Sequence, residues 1–166
     1  MVFYHFVLIF PGLFCTLMSI IRVKKEFSFE MAHALLGYDG DCKFVHGHSY
    51  QLSVTVSGEP KTLVNDPKLG MVIDFGDLKR MIREKIVDVF DHALVLNNQT
   101  PHEHFRESSE LFDKVVFVGY QPTSENLVSD FADRIKNNLP LNLKLYSLRL
   151  RETATCYAEW FASDNC

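Results

Sequence analysis

The sequence predicts an α+β fold in which antiparallel strands lie near the two ends of the chain and two helices lie between them. Apolar and polar side chains alternate over residues 22–33 and 46–57, which indicates a first hairpin. Helical spacing of apolar residues follows Asp74 and again Thr123. A last pair of strand patterns closes the chain. Strands and helices that are segregated in this way favour an antiparallel sheet with both helices on one face.

The first hairpin places three histidines at one end of its predicted strands. His33 ends the apolar face of the first strand, and the second strand begins with His46 and His48 on its apolar face. Because successive strand side chains point to opposite faces, His46 and His48 must point the same way. If the strands pair antiparallel, His33 meets this pair at the loop end. The connecting loop, residues 34–45, contains Cys42.

The middle of the chain predicts one helix and one short strand. Asp74 is a suitable N-cap, and the helix continues to about Phe90 with an apolar stripe at Phe75, Leu78, Ile82, Ile86 and Val89. Asp91-His92 follows directly. Residues 93–98 lead away from the helix, and residues 99–110 form a polar surface insertion. A short strand is expected within residues 114–120.

The second helix and a closing hairpin complete the expected fold. Pro122 with a Thr123 or Ser124 cap marks the helix start, and residues 137–140 stop it. Residues 143–152 form a strand, and residues 155–160 can pair with it. One face of this strand is expected to hold Tyr146, Leu148, Leu150 and Glu152.

Length and composition indicate one ordinary globular domain. The chain has 166 residues, of which 47% are hydrophobic and 23% charged. Its net charge is −4 and it has no basic run, so nucleic-acid binding has no electrostatic support. The four cysteines show no paired spacing, which disfavours a disulfide framework and favours a reducing, cytoplasmic location.

Residues 1–17 differ from the rest of the chain. They have no acidic or basic side chain except His5, so a signal peptide would lack its positive n-region. A membrane helix would be interrupted at Pro11-Gly12, and a genuine structured extension is a further alternative. We favour a mis-called start, with Met18 as the true first residue. Residues 18–166 are then a single domain, with no membrane association.

The three histidines are candidates for a metal site. Three neutral imidazoles with an open fourth position are typical of catalytic zinc, although imidazole also suits copper, iron and nickel. The alternative is that His46 and His48 are half-buried strand residues without a ligand. The position of His33 on the partner strand makes the metal site the better hypothesis.

Three further features could take part in chemistry, and each has a structural alternative. Cys42 could be a fourth ligand, a thiolate that accepts a proton, or a loop residue without a role. Asp91 and His92 could form an acid–base pair, or His92 could simply favour a helix C-terminus. Glu152 could pair with a nearby cation, or accept two adjacent N–H donors of a planar ligand.

Taken together, the sequence resembles the 6-pyruvoyl-tetrahydropterin synthase and QueD family over about residues 23–160. Any one matching motif would be weak, but their order and spacing are specific. The motifs are Phe-Glu-Met-Ala-His33, Cys42-x-x-x-His46-Gly47-His48, Ile73-Asp74-Phe75, Phe90-Asp91-His92, Pro122-Thr123-Ser124-Glu125-Asn126 and Arg151-Glu152-Thr153.

The resemblance implies a tunnelling fold (T-fold), in which subunits join their sheets into a barrel. The expected assembly is a homo-hexamer, a dimer of trimers with active sites at subunit interfaces. The resemblance also implies zinc on the three histidines and Cys42 as catalytic base or proton donor. Asp91 and His92 would complete a proton relay that reaches a neighbouring subunit's site. Glu152 would anchor the pterin ring of the substrate, with Thr123 and Ser124 near it.

The three residues between Cys42 and His46 match the short spacing of the QueD branch. The expected enzyme is then a lyase that forms 6-carboxy-5,6,7,8-tetrahydropterin for queuosine or 7-deazaguanine biosynthesis. The alternative is the pyruvoyl-forming reaction, which releases no acetaldehyde. An alternative of another class is a non-catalytic zinc-stabilised oligomer with Cys42 as fourth ligand. Lys43 and Arg80 are candidate cations for the substrate's triphosphate, and the insertion at 99–110 departs from many family members.

Overall fold

A computed structural model describes residues 19–101 and 114–165 of the chain. The predictions for residues 1–17, and for most of the insertion at 99–110, concern residues outside these ranges. Within the described ranges the structure has six strands and three α-helical segments. In chain order they are β1 (Ile21–His33), β2 (His46–Gly58), α1 (Phe75–Ile82), α2 (Asp88–Phe90), β3 (Ala93–Asn97), β4 (Val115–Val118), α3 (Ser124–Lys136), β5 (Leu143–Arg151) and β6 (Tyr157–Phe161).

The strands form one sheet in the order β4-β3-β1-β2-β5-β6. Strands β1, β2, β5 and β6 pair antiparallel, as predicted. Strand β3 runs parallel to β1, and β4 runs parallel to β3. The sheet is therefore mixed, and the expectation of a wholly antiparallel sheet is wrong at this edge. The helical crossover between β2 and β3 provides the long connection that returns the chain beside β1 in the parallel direction.

Strand β3 was not predicted, because residues 93–98 were expected only to lead away from the helix. Its first four residues are all buried, so the strand has no polar face and no alternating pattern. Such a short apolar run is typical of a strand covered on both sides, which periodicity alone does not separate from other buried segments.

The helices begin where the sequence predicts. The Asp74 side chain accepts a hydrogen bond from the Gly76 amide at 2.6 Å, and Thr123 accepts one from the Asn126 amide at 3.4 Å. A π-helical turn, Arg83–Val87, joins α1 to α2. Leu78, Ile82 and Ile86 of the predicted apolar stripe are fully buried, as is Phe90. Phe75 is 51% exposed and Val89 only half-buried, so the prediction is wrong for these two ends of the stripe.

The helices and one face of the sheet enclose the core. The inward side chains of β2 from Tyr50 to Val56 are fully buried, and Phe29 stacks on Tyr50 with ring centroids 5.5 Å apart. Burial of each large side chain contributes about 1.5–3 kcal/mol. The histidines thus continue an apolar face whose interior end is held firmly by packing.

A β-bulge changes the predicted face of β5. The register between β2 and β5 shifts between Thr55 and Val56, so Leu145 is buried. Tyr146 is only half-buried, and the Arg22 guanidinium lies 3.8 Å from its ring centroid. The prediction that Tyr146 shares the face of Leu148 is therefore wrong, because a bulge interrupts the two-residue period.

No helix within residues 19–101 and 114–165 has the length and apolar character needed to cross a membrane.

Candidate metal and substrate site

The three histidines converge at the open end of the first hairpin. His33, the last residue of β1, pairs in register with His46, the first residue of β2. One potential ligand atom from each of His33, His46 and His48 lies within 4.8 Å of the others. His33 is 2% exposed and the other two are half-buried. These side chains can hold a metal ion, and in the described residues they are the group found with this geometry.

Backbone carbonyls fix the orientation of two of the imidazole rings. His33 Nδ1 donates to the Pro122 carbonyl at 2.7 Å, and His46 Nδ1 donates to the Phe44 carbonyl at 2.8 Å. Because a carbonyl only accepts, the neutral ring of each residue carries its lone pair on Nε2. This arrangement is the usual support of metal-ligating histidines.

The two Nε2 atoms face each other, and this contact favours a cation. His33 Nε2 and His46 Nε2 are 3.1 Å apart. In the neutral tautomers both atoms are acceptors, so the contact has no proton between them and is repulsive. A metal ion would satisfy both lone pairs. Neighbouring ligands of a tetrahedral zinc site with bonds of about 2.0–2.1 Å are separated by about 3.3–3.4 Å, so the donor set fits such an ion.

Burial keeps His33 in the form that a metal needs. Desolvation is the largest cause, and it lowers the pKa of His33 below its usual value of 6.5. The hydrogen bond to Pro122 opposes this lowering, and the neighbouring His46 adds to it. The neutral imidazole is therefore favoured near pH 7, and a neutral imidazole is the ligand form.

Glu152 lies beside the histidines, directly after β5. Its Oε1 is 3.6 Å from His33 Nε2 and 3.7 Å from His48 Nε2, and it accepts a hydrogen bond from the Tyr50 hydroxyl at 2.9 Å. Neither lysine nor arginine pairs with it in the part of the chain that the structure describes. Arg151, its neighbour, donates instead to the Ala154 carbonyl. The simple ion-pair alternative for Glu152 is therefore not what the structure shows.

Cys42 lies on the loop near this group but outside it. It is exposed, in a 3₁₀ turn at Asp41–Lys43, and its carbonyl accepts from the Leu35 amide at 2.9 Å. Its thiol is not a member of the converging histidine group. Burial is the main cause that raises the pKa of Tyr50, followed by Glu152, and the Cys42 charge adds to it. The thiol therefore lies within electrostatic range of the Tyr50–Glu152 pair.

Asp91 and His92 form a pair at the end of α2. Asp91 Oδ1 lies 3.0 Å from His92 Nδ1 and accepts from the Glu30 amide at 3.0 Å. The Glu30 hydrogen bond is the largest cause that lowers the pKa of Asp91, and the His92 charge contributes. His92 has φ +58°, and its side chain is 79% exposed. Within the described ranges it makes no hydrogen bond or ring contact with His33, His46 or His48.

The two predicted hydroxyl residues directly follow Pro122, the residue that orients the His33 ring. Thr123 and Ser124 follow Pro122, whose carbonyl accepts from the His33 ring. The Thr123 hydroxyl caps α3, and the Ser124 hydroxyl is buried without a hydrogen-bond partner in the residues described. Gln121 fixes this segment to the loop of residues 34–45 that joins β1 to β2. Its side-chain oxygen accepts from the Leu36 amide, and its side-chain nitrogen donates to the Leu36 carbonyl.

Sequence reasoning did not identify Tyr50 or Gln121 as functional. Tyr50 was assigned to the apolar face of β2. Its position two residues after His48, on the same face, was the available signal. Gln121 gave no such signal, because its partner Leu36 is 85 residues away in sequence.

Comparison with known proteins agrees with this geometry. Residues 22–163 match the family model described as 6-pyruvoyl tetrahydropterin synthase. A 6-carboxy-5,6,7,8-tetrahydropterin synthase of Haemophilus influenzae is 36% identical over 141 residues, which cover 84% of this chain and 97% of that protein. The enzyme of the same name from Rickettsia typhi is 32% identical, over 84% of this chain and 99% of its own.

Solved structures show the same fold. An uncharacterized protein of Wolinella succinogenes superposes with a TM-score of 0.70 at 22% identity, over 87% of this chain and 99% of that one. The 6-pyruvoyl tetrahydropterin synthase of Caenorhabditis elegans superposes with a TM-score of 0.61 at 25% identity. The match covers 87% of this chain and 97% of that one. The chain therefore belongs to the 6-pyruvoyl tetrahydropterin synthase family. Its single chain has the fold of a T-fold subunit, and the protein is an enzyme of the lyase type.

Proposed function

We propose that this protein is a zinc-dependent 6-carboxy-5,6,7,8-tetrahydropterin synthase. It converts 7,8-dihydroneopterin triphosphate and water to 6-carboxytetrahydropterin, acetaldehyde and triphosphate. The observation that carries the proposal is the position of the Glu152 carboxylate, 3.6 Å from the nearest nitrogen of a three-histidine group. Two curated relatives that match 84% of this chain bear this activity in their names.

His33 and His46 would hold the metal through the Nε2 atoms that their carbonyl partners leave free, and His48 would provide the third imidazole. When bound, the metal supplies a Lewis acid that lowers the pKa of a substrate hydroxyl. Glu152 accepts the adjacent N–H donors of the pterin ring, and Thr123 and Ser124 are assigned to binding the same substrate. A carboxylate suits this task, because it can accept two parallel hydrogen bonds from one planar group.

Proton transfer is assigned to Cys42, His92 and Asp91. The Asp91 carboxylate accepts from His92 Nδ1, which leaves Nε2 as the atom that gains or loses the transferred proton. The Cys42 thiol moves a proton on the side of the exposed loop. A positioned acid or base of this kind contributes about 10²- to 10⁴-fold to the rate.

The triphosphate requires cations, for which Lys43 and Arg80 were the candidates. Arg80 donates to the Asp77 carboxylate at 2.6 Å, so its charge is already compensated. Lys43 lies in the same turn as Cys42 and is exposed. We assign the triphosphate contact to Lys43.

The exposed acid–base pair and the two sheet edges support an assembly. Asp91–His92 is not directed at the histidines of its own chain, and β4 and β6 end the sheet. Exposed edges must be covered or paired. The proposal therefore includes a cytoplasmic homo-hexamer, two trimers whose sheets form barrels, with sites at subunit interfaces. Its product would enter queuosine or 7-deazaguanine biosynthesis.

Product analysis tests the proposed function. Zinc-loaded protein is incubated with 7,8-dihydroneopterin triphosphate, and the pterin and acetaldehyde are quantified together. Equal amounts of 6-carboxytetrahydropterin and acetaldehyde are expected. A pyruvoyl product without acetaldehyde would identify the alternative reaction. Unchanged substrate would favour the non-catalytic, zinc-stabilised alternative.

A further inference from the structure

The Tyr50 hydroxyl is the one hydrogen-bond donor to Glu152 Oε1 that the described residues provide, apart from the histidine rings. Tyr50 is fully buried, and its hydroxyl is 2.9 Å from that oxygen. The tyrosine ring is itself fixed, because it stacks on Phe29 and meets the His33 and His48 rings edge-on at 6.2 and 5.6 Å. A rigid buried donor therefore defines where this carboxylate oxygen lies.

This carboxylate oxygen lies close to the proposed metal ligands but does not belong to the histidine group. Oε1 is 3.6 and 3.7 Å from the Nε2 atoms of His33 and His48, only slightly beyond the separation of neighbouring ligands in a tetrahedral site. Yet in the part of the chain that the structure describes, the atoms that converge as a metal-binding group belong to the three histidines alone. A small displacement of the carboxylate would bring it into the coordination sphere.

We infer that Tyr50 is a positioning residue whose hydroxyl holds Glu152 beside the metal but out of its coordination sphere, so that the carboxylate remains available to the substrate's N–H donors. This inference rests on the proposed function. A carboxylate is one of the side-chain groups that bind zinc, so a free one next to an open metal position is a competing ligand. Without the hydroxyl, Glu152 would be expected to bind the metal and to be lost as an anchor for the pterin.

A second tyrosine–carboxylate pair in the same chain provides a matched control. The Tyr120 hydroxyl donates to Asp130 at 2.7 Å, and the pair is partly buried. Arg134 also donates to Asp130, so this carboxylate has a cation and no histidine group beside it. Tyr120→Phe removes an equivalent hydrogen bond without altering the position of Glu152.

The experiment measures zinc affinity by chelator competition, and kcat and KM with 7,8-dihydroneopterin triphosphate. The proteins are wild type, Tyr50→Phe, Tyr120→Phe, Glu152→Gln and the Tyr50→Phe/Glu152→Gln double variant. Tyr50→Phe is expected to bind zinc about tenfold more tightly and to raise KM about 10- to 100-fold, the usual range for a hydrogen bond to a charged group. Its kcat should change by less than its KM.

Glu152→Gln separates positioning from a merely structural role. The double variant should lose the gain in zinc affinity, since the amide is a poor ligand, while Tyr120→Phe should match wild type in every measurement. Unchanged zinc affinity and KM in Tyr50→Phe would overturn the inference. So would a tenfold loss of zinc affinity in Glu152→Gln, because the carboxylate would then be a ligand already. This last measurement is made on Glu152→Gln alone, so it decides the question even if Tyr50→Phe does not fold.

The zinc measurements do not require turnover. If wild-type protein fails to convert the triphosphate, the proposed function fails, but the affinity changes still decide whether Tyr50 keeps Glu152 off the metal.

Discussion

The chain has two histidine-containing regions of opposite character. His33, His46 and His48 lie on two paired strands, with two rings fixed by carbonyls and their ligand atoms close together. His92 lies at a helix end with a left-handed backbone, its side chain is mostly exposed, and its ring pairs with Asp91. The potential ligand atoms of the first region converge within a single chain, whereas the His92 ring is exposed to the surroundings.

This difference in rigidity and exposure suits the two regions to different proposed roles, metal binding and proton transfer. Ligand atoms must be held rigidly, and strand pairing with a buried face provides that rigidity. The proton-transfer pair that we propose at Asp91 and His92 must instead reach a substrate, and an exposed turn held at one end by Glu30 would allow this. We therefore expect loss of the first region to remove the metal, and loss of the second to remove only turnover.

The largest effect is expected for His33→Ala. Its ring is the most buried of the three and is supported by Pro122, so metal affinity should fall by more than the roughly 10- to 100-fold typical of losing a supporting hydrogen bond. Activity should fall with it. Zinc content after dialysis measures this, with His92→Ala as the control that keeps its metal. Equal zinc loss in both variants would remove the distinction between the regions.

Cys42→Ala is expected to be folded and zinc-loaded, with activity lower by about 10²- to 10⁴-fold. The thiol is exposed and outside the histidine group, so the metal does not depend on it. Cys156→Ala, which removes another exposed thiol, should retain activity. Loss of zinc from the Cys42 variant would show instead that the thiol is the fourth ligand.

His92→Gly should move activity and stability in opposite directions. The imidazole that we propose transfers a proton is lost, so activity should fall by about 10²- to 10⁴-fold. A residue with a Cβ is strained at φ +58°, and glycine removes that strain, so the free energy of unfolding should rise by about 1 kcal/mol. Urea denaturation compares it with His92→Ala, which should show no such gain.

Asp91→Asn should have a small effect on stability that depends on pH. The folded state lowers the pKa of Asp91 below 3.8, so its ionised form stabilises the fold above about pH 4, and this contribution is lost as pH falls through the folded value. The wild-type advantage in thermal unfolding of the metal-free protein should therefore shrink between pH 6 and pH 3. Asp133→Asn, at a carboxylate that is 66% exposed, is the control and should show little pH-dependent difference. A constant Asp91 advantage across this range would contradict the assignment.

The sequence predicted much of the histidine region, because its geometry follows from strand parity. Period-two alternation placed His46 and His48 on one face, and the hairpin brought His33 to them. Tyr50 was assigned only to packing, since its role depends on Glu152, which is 102 residues away. Strand β3 and the bulge at Tyr146 were missed because one lacks alternation and the other interrupts it. The exposure of His92 depends on the tertiary path of the chain, which local patterns do not determine.

Mixed assemblies test most directly the claim that one chain holds the metal while another supplies the proton-transfer pair. Cys42→Ala and His92→Ala chains are co-expressed with different tags, and assemblies that contain both are purified and assayed. If each site combines Cys42 of one subunit with His92 of its neighbour, up to about a quarter of the sites carry both residues and activity reappears. Mixed assemblies that stay as inactive as either variant alone would contradict the claim.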